Sequence, residues 1–133
     1  MPSPPPVVRN LVLCEDVIVD PKNRQRSTIV NVLAGIRSRT EPAFPYRQEK
    51  LGVYVQLTEC RTGGKVRLDV LEADTDKVIF TTPEQNVTLP NNPLAVHSMR
   101  FRLRNCTFPA PGLYMVQFVF DNRVLSQQSL LLS

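Results

Sequence analysis

The chain has 133 residues, 42% of them apolar and 7% aromatic, with no Trp; this suits one globular domain and is too apolar for disorder. A single His and three widely spaced Cys do not supply the three or four close ligands that zinc needs. No apolar run approaches the roughly 20 residues of a membrane helix. The formal net charge of +4 is local. Lys22, Arg24, Arg26, Arg37 and Arg39 fall in a stretch without acids, and Arg100, Arg102 and Arg104 form a second cluster.

The start, Met1-Pro-Ser-Pro-Pro-Pro6, has no positive n-region and no cleavage site, so it does not read as a signal peptide. Residues 1–7 read as a flexible, Pro-rich arm, with a ligand for a proline-binding module as the weaker alternative. Residues 8–133 read as the single domain.

Strand one spans Val8 to Val19, with a break at Glu15-Asp16 that suggests a bulge. Asp20-Pro-Lys-Asn-Arg24 turns the chain into strand two, Thr28 to Ile36, where β-branched residues favour strand over helix. A long connection follows from Arg37 to Lys50. Pro42 and Pro45 interrupt any ladder there, and the loop is expected to cross from one sheet to the other. Strand three, Leu51 to Thr58, sets Leu51, Val53, Val55 and Leu57 on one side. After Thr62-Gly63-Gly64, strand four (Val66 to Leu71) alternates apolar residues with Arg67 and Asp69, as a half-buried antiparallel strand does. Asp74-Thr75-Asp76 leads to strand five, Val78 to Thr82, and residues 83–94 read as irregular edge.

Strand six is Val96 to Leu103, strand seven Leu113 to Phe120 and strand eight Val124 to Leu132, the last two joined by Asp121-Asn122. Strand seven is apolar on both faces, which predicts a central strand between two covered surfaces. Tyr114 follows Gly112 at the start of that strand, the position of a tyrosine corner. About eight short strands with Gly/Pro/Asn/Asp turns predict an all-β, two-sheet antiparallel β-sandwich in the immunoglobulin-like style.

Candidate chemistry is sparse. His97, the single candidate base, sits on a strand face with Met99, Phe101 and Leu103 and reads as a rim or core-flanking residue. The acids Glu15, Asp16, Asp20, Asp74, Asp76 and Asp121 are better explained as turn formers than as calcium ligands. No glycine-rich phosphate loop is present. Cys14, Cys60 and Cys106 read as reduced, partly buried thiols suited to a cytoplasm, with a Cys60–Cys106 pair open only if their strands are adjacent. No catalytic, cofactor or metal site is expected.

The arginines are the feature that can carry function. Arg100, Arg102 and Arg104 alternate, so all three project from one face of a strand. Arg61, Lys65 and Arg67 join them if strands four and six share a sheet. A solvated face that blocks edge pairing is the plainer account, and an acidic protein partner is the functional one. Nucleic acid is disfavoured, because no exposed aromatics interleave for stacking. Phe44 and Tyr46, on a proline-stiffened loop, are candidate contacts. The competing account has Phe44 plugging the open end of the sandwich.

The segments Leu11-Val-Leu-Cys-Glu-Asp16, Ser27-Thr-Ile-Val30, Gly35-Ile36, Phe44-Pro45, Leu51-Gly-Val-Tyr-Val55, Gly63-Gly64 and Pro111-Gly-Leu-Tyr114, with the turn at Asp20 and the closing hairpin, form one pattern. It resembles a family of small uncharacterised bacterial β-sandwich proteins, a domain of unknown function, from about Leu11 to Leu132. Asp121-Asn122 departs from the expected Asp-Gly turn. The resemblance implies a bacterial, cytoplasmic protein and supplies no site residues. The expected function is a non-enzymatic interaction or structural module with an unidentified protein partner, or a homo-oligomer formed through an edge strand. The alternative is a sandwich that binds a small ligand, carbohydrate or anion.

Overall fold

Period-two burial organises the molecule. A computed structural model describes residues 4–133; its ten strands are β1 (Val7–Val19), β2 (Ser27–Val32), β3 (Gly35–Ile36), β4 (Tyr46–Thr58), β5 (Gly64–Glu72), β6 (Val78–Thr81), β7 (Gln85–Val87), β8 (His97–Phe108), β9 (Gly112–Phe120) and β10 (Arg123–Leu132). They form two sheets, one ordered β2-β1-β4-β8 and the other β3-β10-β9-β5-β6, with β7 also paired to β5. The chain is thus an all-β, two-sheet sandwich. Of the proposed arm, Met1–Ser3 lie outside the described residues, while Pro4 is exposed and Pro6 is already buried just before β1.

The core lies between the sheets. Leu51, Val53, Val55 and Leu57 of β4 are fully buried, and Tyr114, Val116, Phe118 and Phe120 of β9 are nearly so. Phe101 of β8 meets Phe118 of β9 edge to face at 6.3 Å across the sandwich. At one end Phe108 meets Tyr114 in the same way at 5.0 Å. The Tyr114 hydroxyl donates to the Ala110 carbonyl at 2.6 Å, the bond of a tyrosine corner. It locks the β8–β9 connection onto the strand that follows. Asp121 and Asn122 both hold positive φ (48° and 63°), as a type I′ hairpin turn requires, so the Asp-Asn pair serves where Asp-Gly was expected.

Several boundaries differ from the sequence reading, each for a local reason. Strand two divides. β2 stays beside β1, the Leu33 N–H donates to the Leu13 carbonyl, and the chain then changes sheets, so that β3 runs parallel to β10. The arrangement is therefore not purely antiparallel, and β7 brings the count to ten strands. The following connection does cross back to the other sheet, but it ends at Pro45; the ladder resumes at the next residue, which can donate again. β8 extends past Leu103 because Asn105 takes φ 56°, which resets the alternation by one residue and turns Cys106 and Phe108 inward. β9 is central in its sheet, yet its outer face is not fully covered: Leu113 is 46% exposed.

Candidate functional site

The register of β4 with β8 sets Tyr54 opposite Arg100, Gly52 opposite Arg102 and Lys50 opposite Arg104, on the outer face of the four-stranded sheet. The three arginines do share one face. Lys65 and Arg67 do not join them, because β5 belongs to the other sheet, and Arg61 lies in the β4–β5 connection. Arg67 is instead held there by Asp69, Glu84 and Asn122.

Asp16 interrupts the basic face. β1 pairs with β4 only as far as Cys14 and Gly52, then continues with β2 alone. A Cβ on Gly52 would come 2.9 Å from the Cys14 sulfur and 3.2 Å from the Asp16 Cα, so glycine permits this close passage. Where β1 departs, the Asp16 carboxylate receives bonds from Lys50 Nζ at 3.0 Å, Arg102 Nε at 3.0 Å and the Val17 N–H at 2.8 Å. Cys14 and Val17 sit three residues apart, yet both pack with Tyr54. The alternation does break at Glu15-Asp16, as the sequence suggested.

These bonds hold the Asp16 carboxyl at about 2, with the Lys50 ammonium the largest cause, partial burial opposing it, and Val17 and Arg102 adding to it. The folded value lies below the ordinary 3.8, so the carboxylate stabilises the fold above that pH, and the contribution disappears as pH falls toward 2. Urea midpoints measured at pH 5 and pH 2 should fall more steeply for the wild type than for Asp16→Asn. Parallel declines would show that this network does not contribute.

Next to the arginine row is a cleft of about 520 Å³ lined by Arg9, Arg24, His97 and Arg100. The bulge of β1 explains Arg9. Val8 opposes Leu57 and Asn10 opposes Gln56, so Arg9 is the extra residue. The bulge returns Val8 and Leu11 to the core and re-aims Arg9. The ladder bulge thus lies at Arg9 and not at Glu15-Asp16. Arg24 comes from the β1–β2 turn, which is shaped by Asp20 and Asn23 side chains accepting from the Lys22 and Gln25 N–H groups. Two lining residues, Gln56 and Ser98, are tied into a chain of bonds: Asn10 Nδ2 donates to Gln56 Oε1 at 2.6 Å, Gln56 Nε2 to the Tyr54 hydroxyl at 2.8 Å, and that hydroxyl meets Ser98 Oγ at 3.0 Å. A second hollow of about 590 Å³ shares Arg24 and Arg100 and adds Arg102.

His97 is half-buried at this rim, with its pKa lowered by burial and secondarily by Arg100. Neither hollow has an acidic residue in its lining. Among the described residues, Arg9, Arg24 and Arg100 make no ion pair.

Phe44 and Tyr46 are elsewhere. Phe44 is half-buried against the main core. Tyr46 opposes Phe108 at the end of the β4–β8 ladder away from His97, and its hydroxyl donates to Gln48. Cys14, Cys60 and Cys106 are free and fully buried rather than partly so, and no Cys60–Cys106 bond forms. Burial pushes the Cys106 thiol up to about 12. Asp76 and Asp121 shape turns, and Asp121 Oδ1 also accepts the Lys65 N–H.

Fold and face together define a β-sandwich with a cation-lined cleft on one sheet. The chain belongs to a family of unknown function (DUF6941), whose model matches residues 9–133. No curated protein matches it.

Proposed function

We propose that this protein is a non-enzymatic binding module whose outer arginine face docks an acidic protein partner in the bacterial cytoplasm. The observation that carries this reading is the meeting of Arg9, Arg24 and Arg100 in one cleft without a lining carboxylate. Like charges gathered without counter-charge leave a positive potential that attracts and orients a negative surface. Buried, protonated thiols are compatible with a reducing compartment. Parallel pairing of β3 with the last strand and the tyrosine corner support an immunoglobulin-like reading of the fold.

The carbohydrate alternative lacks a platform, because Tyr54 and Tyr114 are buried and Tyr46 is half-buried. Self-pairing through the β8 edge would bring the Arg100, Arg102 and Arg104 rows of two copies together. An edge-strand homo-oligomer formed through this sheet would therefore use its other edge, β2, where Val32 is 69% exposed.

A fluorescent Glu-rich peptide should bind the protein, and its affinity should fall steeply between low and physiological salt. Arg24→Glu with Arg100→Glu should weaken it by about tenfold or more. Absence of binding at low salt, or binding indifferent to the reversal, would overturn this function.

A further inference from the structure

We infer that the cleft between Arg9, Arg24 and Arg100 is an oxyanion site for a phosphate-class group, with His97 adding a further cationic donor when protonated. This rests on the reading that the basic face receives negative charge, and it specifies the chemistry received.

Three arginines line the cleft from three separate places: the β1 bulge, the β1–β2 turn and β8. Each carries five N–H donors in a planar fork. A carboxylate's two oxygens offer about four lone-pair sites, too few to meet three forks with two bonds each. A phosphate or sulfate presents its oxygens in several directions and can accept from all three. The volume, about 520 Å³, also leaves room for the molecule that bears the phosphate.

Gln56 and Ser98, which line the cleft, are already held in place. Asn10, Gln56, Tyr54 and Ser98 satisfy one another in a continuous chain, so little side-chain order is lost when an anion arrives. The cations lining the cleft with His97 are Arg9 from β1, Arg24 from the turn and Arg100 from β8, and no acid lines it. An anion placed there screens Arg100 from the imidazole and favours the imidazolium. Binding and His97 protonation are then reciprocally linked.

His97 is the sole histidine, so one imidazole Cε1–H signal reports the site without assignment. The full chain is titrated with pH at constant ionic strength, with chloride alone, with added sulfate and with added inorganic phosphate. Sulfate does not titrate near neutrality, which separates the protein's proton from the ligand's. Saturating anion should raise the His97 pKa by about one unit, equivalent to about tenfold tighter binding to the protonated protein. Arg100→Gln and, separately, Arg9→Gln should each weaken binding about tenfold with melting temperatures kept. Arg123→Gln, in the β9–β10 hairpin, should change nothing. His97→Gln should abolish the pH dependence of sulfate binding and leave that binding within about threefold.

Shifts that never saturate, or that persist in Arg100→Gln and Arg9→Gln, overturn the inference. If they do so while the Glu-rich peptide still binds, the docking function stands and only the phosphate site falls. If neither ligand binds, both fall. A phosphoserine peptide compared with its unphosphorylated form and with inorganic phosphate then tells a peptide-borne group from a free ion.

Discussion

Replacing Phe118 by Ala is expected to lower the free energy of unfolding by about 3–5 kcal/mol, the largest loss of any single change considered for this chain. Phe118 is fully buried on the inner face of β9, between Leu68 of β5 and Ser126 of β10 in the ladder. Its ring contacts Phe101 of the opposite sheet, edge to face at an interplanar angle of 62°. Truncation removes the transfer energy of the ring, leaves a cavity between two sheets that cannot fully close, and deletes an aromatic pair worth about 0.5–1.5 kcal/mol beyond its area. Leu113→Ala, on the outer face of the same strand and 46% exposed, is the control and should cost far less. Urea unfolding with an unchanged slope measures both. Equal losses for the two would mean that β9 does not face the other sheet through Phe118.

Gly63→Ala is expected to cost about 2 kcal/mol through the backbone. A Cβ at Gly63 would overlap the Val87 carbonyl oxygen and lie 3.0 Å from the Val87 carbonyl carbon and 3.1 Å from the Thr88 Cα. These are main-chain atoms, so no rotamer change relieves the overlap, and β7 must move off β5. The pairs Gly64–Val87 and Lys65–Asn86 would open, loosening the segment that leads to buried Leu89. Hydrogen exchange at Asn86 and Val87, read beside the urea midpoint, checks this. Unchanged protection with unchanged stability would show that β7 is not docked against Gly63.

The two variants probe features of different legibility. The inward side of β4 was readable in advance, because alternation over Leu51–Leu57 leaves one way to bury the apolar side; for Leu113–Phe120, apolar on both faces, only a central place was readable and not the side that Phe118 takes. The Tyr114 bond to Ala110 was readable too, since the Pro-Gly-x-Tyr spacing places the hydroxyl beside its own preceding turn. The approach of Gly63 to Val87 was not, because it depends on where β7 folds back. The split of strand two was hidden within a mostly apolar run, Ile29 to Ile36, interrupted by the polar Asn31 and otherwise apolar enough for either sheet. The extension of β8 was hidden because Arg104-Asn105 interrupts the alternation, and one positive φ restores it.

The candidate site divides in the same way. Arg100, Arg102 and Arg104 share a face by strand geometry alone, so their alignment was legible. Their roles were not: Arg102 is bound to Asp16, while Arg100 lines the cleft. Arg9 carried no sequence signal, since a bulge that turns one residue sideways leaves the composition of a strand unchanged. Arg24 resembled any cation in a turn, and His97 a rim residue, as it also is in the fold.

By itself the sequence determined the class of architecture, the inner sides of Leu51–Leu57 and Val66–Val70 and the tight turns, because these follow from backbone periodicity and contacts between near neighbours. Only the tertiary structure decided which strands share a sheet, where β1 leaves β4, and that residues 9, 24, 97 and 100 line one cleft. Sheet order is set by packing between segments distant along the chain, and local preference carries no information about which distant strand will lie alongside.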